Sequence, residues 1–335
     1  MRYIDNDLKH KTILITGGAG FIGSNVAFYF QENHPEAKVV VLDCFRNAET
    51  FSNGNLKSFG HFKNLLGFRG EIISGNINDK ELLLHLETKY KFDYIFHEAA
   101  ISDTTVQEQD LMIKTNVNAF VDLLDMACRQ GANMIYASSG ATYGNAPSPQ
   151  KVGAELPNNV YGFSKLSMDH IAREYMENHD ISIVGLRYFN VYGPREYFKS
   201  TTASMVLQFG HQILSGKNPR LFQGSDNILR DFIYIEDIIQ ANIKAMEPKK
   251  SGVYNVGTGK ARSFQDIVDI LQRELKTELP CEYIPNPFVG SYQFHTEADI
   301  ESTKEGLGYA PLYEMEDGIK AYVFDIKRMY EQEVK

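Results

Sequence analysis

No stretch of the chain approaches the roughly 20 apolar residues that a membrane-spanning helix needs. Met1-Arg2-Tyr3-Ile4-Asp5 lacks the basic-then-apolar layout of an export signal. Cysteine is scarce: Cys44, Cys128 and Cys281 show no metal-ligand spacing, and their number fits a reducing compartment. The nine histidines and 43 acids contain no H-E-x-x-H or related pattern. Glu98 beside His97 does not supply one, because neighbouring residues on a strand point apart, so no metal is expected. Basic residues are in deficit, 34 against 43 acidic ones for a formal charge of −9. That argues against broad nucleic-acid binding while leaving room for a local cluster that holds a diphosphate. Internal repeats and low-complexity tracts are missing as well. The expectation is a cytoplasmic protein bound to neither membrane nor nucleic acid, its 335 residues sufficient for a large core or two unequal lobes.

Against these absences stands one dense signal, Thr16-Gly17-Gly18-Ala19-Gly20-Phe21-Ile22-Gly23. It follows the apolar run Ile13-Leu14-Ile15 and precedes a helical period through Val26, Ala27 and Phe30. Glycines at 17, 20 and 23 suit a tight turn, close approach to a pyrophosphate, and close helix–strand packing. The helix that starts there points its amides and positive dipole end at the phosphates. Asp43 ends the next apolar run, Val39–Leu42, where a carboxylate accepts hydrogen bonds from a ribose.

Strand-like runs then alternate with helical ones. Ile72-Ile73 leads to Gly75-Asn76; Asp79 starts a helix through Leu82, Leu83 and Leu86; and Phe92–Ala100 reads as a buried strand ending in small residues, Ala99 among them. A helix through Asn116, Phe120, Leu123, Leu124 and Ala127 precedes the strand Met134–Ala137, which ends at Ser138-Ser139. A helix opens at Tyr161, and Ile183–Arg187 is a further strand. This alternation predicts a parallel sheet with helices on both faces and ligands beyond the carboxyl ends of its strands. Residues 1–10 read as a polar leader, and 44–70 as a surface excursion whose part 47–60 covers the cofactor or makes subunit contacts. The division expected is a cofactor-binding part at 1–190, with a return segment near 231–260, and a substrate-binding lobe from 191–230 and 261–335. Phe232-Ile233-Tyr234 and the helix near Ile238–Met246 are expected to return to the larger lobe.

Tyr161 and Lys165, four apart on a helix, share one face. A phenol of pKa near 10 is a poor base at neutral pH; a lysine cation and an oxidised nicotinamide beside it favour the phenolate. Ser139, 22 residues upstream, is placed to hold an alcohol toward that base. His97 reads as structural or as a supporting donor. Lys199 lies where the chain leaves the cofactor part and crosses toward the smaller lobe. There it either donates to a ketone, pairs with pyrophosphate, or is solvated.

The motifs GGAGFIG at 17–23, ASSGATYG at 137–144, YGFSK at 161–165 and RYFNVYGPR at 187–195 resemble the nucleotide-sugar branch of the extended short-chain dehydrogenase/reductases. HEAAISDTT at 97–105, NVYGPREYFKSTTAS at 190–204, LFQGSDNILRDFIY at 221–234 and GSYQFHTEAD at 290–299 resemble its heptose 6-epimerases. The resemblance implies a Rossmann-type α/β fold with a smaller mixed α/β lobe. It further implies inversion at C6 of an ADP-heptose by transient oxidation and re-reduction, as a step toward lipopolysaccharide. Ser139, Tyr161, Lys165 and Lys199 are then catalytic, with Tyr161 and Lys199 as acid/bases on opposite faces of the carbon.

The expected cofactor contacts are Gly17, Gly20, Phe21, Ile22, Gly23, Asp43, Cys44, Arg46, His61, Lys63, Asn76, Ala99, Asn116, Tyr161 and Lys165. The expected substrate contacts are Thr104, Thr105, Ser139, Asn190, Lys199, Thr201, Gln208, Phe222, Arg230 and Tyr292. Asp43 favours NAD, because its charge repels a 2′-phosphate. Arg46, His61 and Lys63 offset that if the excursion folds back, and with the resemblance they lead to an expectation of NADP over NAD, one tightly held per subunit of a homo-oligomer. The alternatives are an epimerase or dehydratase of UDP- or GDP-sugars, and a non-catalytic nicotinamide-binding scaffold.

Overall fold

The computed structural model describes residues 2–286 and 294–334. In chain order the strands are β1 (Thr12–Thr16), β2 (Lys38–Asp43), β3 (Glu71–Ser74), β4 (Tyr94–His97), β5 (Asn133–Ser139), β6 (Ile183–Tyr188), β7 (Asn190–Tyr192), β8 (Arg220–Phe222), β9 (Leu229–Tyr234), β10 (Gly252–Val256), β11 (Ala261–Ser263) and β12 (Glu282–Ile284). The helices are α1 (Phe21–Asn33), α2 (Lys80–Lys89), α3 (Gln109–Met112), α4 (Ala119–Gln130), α5 (Val160–Asn178), α6 (Met205–Leu214), α7 (Ile235–Lys244), α8 (Phe264–Leu275), α9 (Glu301–Leu307) and α10 (Met315–Met329).

Seven strands form one parallel sheet in the order β10-β6-β5-β4-β1-β2-β3. The direction of winding reverses between β1 and β4, which leaves a crevice at their carboxyl ends. Apolar residues run continuously along β1 because both faces are covered. Ile13 and Ile15 pack in one cluster with Val26 and Phe30 of α1, whereas Leu14 packs in the other with Phe120 and Leu123 of α4. This is the Rossmann-type arrangement. A smaller mixed α/β lobe holds a three-stranded sheet, β11-β9-β7, and the pair β12-β8, packed with α6, α8 and α10.

Three local expectations change. The leader is not merely polar: Ile4 and Leu8 are buried in the α1 cluster, and Tyr3 stacks on Tyr29 at 5.6 Å between ring centres. The helix through Asn116 opens with wide π-type turns at Ile113–Asn118 before α4. Within these turns the Asn116 side chain accepts from the Ile101 amide at 2.8 Å and donates to its carbonyl at 3.0 Å. Finally, Phe232-Ile233-Tyr234 lie in β9 of the three-stranded sheet, so it is β10 that rejoins the large one; α7 does return, packing on α1.

Candidate active site

A cleft of about 720 Å3 runs along the carboxyl ends of the central strands. Gly17, Gly20, Phe21, Ile22, Gly23, Asp43, Cys44, Asn76, Ala99, Thr104, Ser139, Tyr161, Lys165 and Lys199 all line it.

On its first wall, Gly17 has φ of 69° and approaches the Ala99 amide so closely that a Cβ would fall 2.7 Å from it. A side chain here would be strained in the backbone and would clash with β4's exit loop. Gly20 begins α1 without any side-chain cap, and the first turn holds no acid. The amides at that end therefore face the cleft unneutralised, which fits a pyrophosphate. Asp43 is buried and accepts from the Ala19 and Phe45 amides at 2.9 and 2.8 Å. Burial pushes its carboxyl pKa up, and those two bonds draw it back. A glycine turn, an open helix end and a carboxylate at the next strand end together fit a dinucleotide.

The second wall is built by β5 and α5. Asn159 caps α5 by accepting from the Gly162 amide at 2.8 Å, which places Tyr161 and Lys165 on its first turns. Lys165 is buried, and its Nζ donates to the Ala137 carbonyl at 2.7 Å. Its pKa is lowered to about 8 by burial, against the pull of the Glu98 and Asp169 carboxylates. The Tyr161 phenol is raised by burial and drawn down by a hydrogen bond with Ser139. What opposes ionisation of Tyr161 is thus first its own burial and then the Glu98 carboxylate.

The third wall carries Lys199, on the short helix Tyr197–Thr202. Glu196 anchors this segment from inside. It is fully buried and accepts from the Gly193 amide at 3.1 Å, the Ser204 amide at 2.6 Å and the Ser204 hydroxyl at 2.8 Å. Arg195 before the helix and Ser200 within it have φ of 74° and 55°, so the backbone kinks directly after Lys199. Nζ of Lys199 lies 5.7 Å from the centre of the Phe21 ring. Burial lowers its pKa, and the Glu196 carboxylate raises it again.

The other predicted residues that the structure describes lie outside the lining. Asn116 is buried beneath it and donates to Ser164 at 3.0 Å. The Thr105 hydroxyl donates to Asp103 at 2.7 Å, and that of Thr201 donates to Asn55 at 3.0 Å. Gln208 donates to the Ala203 carbonyl at 2.7 Å. Asn190 is exposed on β7 and Phe222 sits on β8. Arg230 is buried on β9, where it donates to the Leu229 carbonyl at 2.8 Å. It does not pair with Asp231 in the way the sequence order suggests, since Asp231 accepts instead from Thr258, Gly259 and Ala298. Tyr292 lies outside the described residues. His97 is structural: buried, bonded to Thr16 at 2.8 Å and stacked on Phe120.

Sequence reasoning passed over Glu98, Tyr188 and the excursion residues Phe45, Phe51 and Phe59, all of which line the cleft. Phe51 is buried in a small cluster with Ile101, Val106, Met112 and Tyr161. Asn55 donates to Asp103 at 2.7 Å while accepting from Thr201. The excursion is therefore a strap fastened to both sides of the cleft. The one sequence signal for it was its length.

A nicotinamide site joined to a Ser–Tyr–Lys set on this fold defines an epimerase/dehydratase of nucleotide sugars. The model of the NAD dependent epimerase/dehydratase family matches residues 13–257. ADP-L-glycero-D-manno-heptose-6-epimerase of Helicobacter pylori is 54% identical, with 98% of this chain and 99% of that one covered at a TM-score of 0.89. UDP-glucose 4-epimerase of Thermotoga maritima is 29% identical over 95% of this chain and 99% of its own, TM-score 0.84. UDP-glucuronic acid 4-epimerase of Bacillus cereus, solved with UDP-glucuronic acid and NAD, is 27% identical over 95% and 100%, TM-score 0.80. The chain belongs to the NAD dependent epimerase/dehydratase family and, within it, to the ADP-L-glycero-D-manno-heptose 6-epimerases.

The expected preference for NADP is corrected. The Bacillus cereus relative holds NAD, and the basic residues meant to receive a 2′-phosphate are engaged elsewhere. Lys63 pairs with Glu333, His61 stacks on Phe198 at 3.7 Å between ring centres, and Arg46 lies over the same ring at 5.2 Å. None of the three lines the cleft.

Proposed function

We propose that this protein inverts C6 of the heptose in ADP-D-glycero-D-manno-heptose, using NAD held in the cleft. The observation that carries the reading is that Lys199 faces the same cleft as Ser139, Tyr161 and Lys165 but from a separate element across it. Two acid/bases on opposite sides suit a reaction that removes a proton on one face of a carbon's substituents and restores it on the other. The 54% identity to the Helicobacter pylori enzyme supports the choice of sugar.

Gly17, Gly20, Phe21, Ile22, Gly23, Asp43, Cys44, Asn76 and Ala99 would hold the dinucleotide. When bound, NAD supplies the oxidation at C6 and its reversal. Ser139 orients the reacting hydroxyl. Tyr161 takes its proton from one side, assisted by the Lys165 charge, and Lys199 exchanges a proton from the other. Thr104 is placed to contact the sugar. The chain divides into a cofactor part, about 1–190 with the returning β10, and a substrate lobe around Lys199. Among the described residues no helix is long and apolar enough to cross a membrane, and the cysteines are free. Both support a cytoplasmic protein, which we read as a homo-oligomer.

The test is NMR of the NAD-loaded protein with ADP-D-glycero-D-manno-heptose and no added reductant. A mixture of C6 epimers without net change in NAD is expected. No conversion, with turnover of a UDP- or GDP-sugar instead, would replace the substrate reading.

A further inference from the structure

Lys199 sits on a short, kinked helix whose residues on either side of it are gripped by the excursion after β2. Just before the lysine, the buried Phe198 ring stacks on His61, 3.7 Å between ring centres and 9° between planes. The Arg46 guanidinium lies over the same ring at 5.2 Å. Just after the lysine, beyond the kink at Ser200, the Thr201 hydroxyl donates to Asn55 at 3.0 Å. Glu196 and Arg195 fix the chain that leads into the helix, Arg195 by donating to the Asn64 carbonyl at 3.3 Å. The Phe198 ring is the attachment that adjoins Lys199 itself.

His61 is in turn fastened to the wall that holds the glycine turn. Its backbone amide donates to the Ala19 carbonyl at 3.0 Å, and the Asn64 side chain donates to the same carbonyl at 3.1 Å. Its Nδ1 accepts from the Lys63 amide at 3.2 Å and so caps the turn Phe62–Leu65. Burial and the Arg46 and Lys63 charges lower the imidazole to about 4, so at neutral pH it stacks uncharged. Stacked rings hold a preferred separation and orientation. A continuous line of contacts therefore runs from Ala19 through His61 and Phe198 to the residue beside Lys199.

We propose that His61 is a positioning residue for Lys199: through the Phe198 stack it sets how far the lysine stands from the glycine turn and from what binds along it. The inference rests on the acid/base role proposed above for Lys199. It gives His61 a task other than the cofactor contact expected from its place in the sequence. A proton-transfer group displaced by about 1 Å already loses much of its rate, so the stack bears on turnover more than on binding.

The test is a double-mutant cycle on kcat for C6 inversion, with KM and bound NAD measured in each preparation. His61→Asn removes the ring but keeps a side-chain acceptor for the Lys63 amide; His61→Phe keeps a ring and removes that acceptor. His61→Asn is expected to lower kcat roughly ten-fold, with KM and bound NAD close to the parent. His61→Phe is expected to restore most of that loss. In a Lys199→Met background, where no ammonium remains to be placed, His61→Asn is expected to slow the reaction no further. An unchanged kcat in His61→Asn, an equal loss in His61→Phe, or the same loss again in the Lys199→Met background each overturns the proposal. If His61→Asn does not fold, Phe198→Leu, which stays apolar but cannot stack, goes through the same cycle and is judged in the same way. A parent protein that converts no ADP-heptose would instead refute the function itself.

Discussion

Among single residues, Lys199 separates the readings of this site. Tyr161, Lys165 and Ser139 serve any enzyme that oxidises a sugar alcohol with a nicotinamide, whereas a second acid/base opposite them serves one that inverts a centre. Lys199→Met keeps the length and apolar stem of the side chain. It is expected to slow C6 inversion by about 100-fold or more while bound NAD stays at the parent level, as read by NMR and by absorbance. A near-normal rate would transfer the role to another group. The sequence displayed this residue only within a motif. What it did not display was Glu196, three positions earlier, whose three accepted hydrogen bonds hold the Lys199 segment.

For the elements, the placement of Tyr161 and Lys165 depends on how α5 is fixed to the sheet. Asp169 of α5 accepts from Tyr136 and Ser138 of β5 and from Arg187 of β6, whose Nη2 approaches to 2.7 Å. Arg187 also donates to Glu155 at 2.5 Å and is fully buried. Arg187→Met leaves Asp169 buried without its cation and Glu155 with only Arg173 at 3.9 Å. A loss of about 3–5 kcal/mol in urea unfolding is expected, and adding Asp169→Asn should return part of it. If the single change costs nothing, the ion pair does not fix α5.

The strands and α5 were legible because their signals are local: apolar runs ending at Asp43 and Ser139, a cap at Asp79 that accepts from the Glu81 and Leu82 amides, and glycines where the backbone turns. The π-type turns at Ile113–Asn118 carry no local signal, and the partner of the Asn116 side chain within them, Ile101, is 15 residues away. Thr201, Gln208 and Arg230 carry the right chemistry for a sugar site, and in the structure they lie outside the lining of the cleft. Thr201 donates to Asn55, Gln208 to the Ala203 carbonyl and Arg230 to the Leu229 carbonyl. Sequence order shows which groups a residue offers, not which partner reaches it first.

On the scale of the whole molecule, the two sides of the cleft are joined by more than the polypeptide crossing between them. The strap reaches Asp103 on one side and Thr201 on the other through a single residue, Asn55, which is 146 positions from Thr201. Asn55→Ala removes the attachment to Thr201 and one of the bonds to Asp103, where Asn53 still donates at 3.0 Å. Each hydrogen bond contributes about 0.5–1.5 kcal/mol, so release of bound NAD is expected to quicken by roughly ten-fold, measured by dilution into a trap for free NAD. An unchanged release rate would mean that the strap does not guard the cofactor.

A catalyst that finishes each cycle in its starting oxidation state has no need to trade its nicotinamide. Fastened to both sides of the cleft, a strap that slows NAD release as predicted would turn a soluble reagent into something close to a prosthetic part. The working capacity of a cell would then follow how many of these molecules were assembled around NAD, not how much NAD circulates at a given moment.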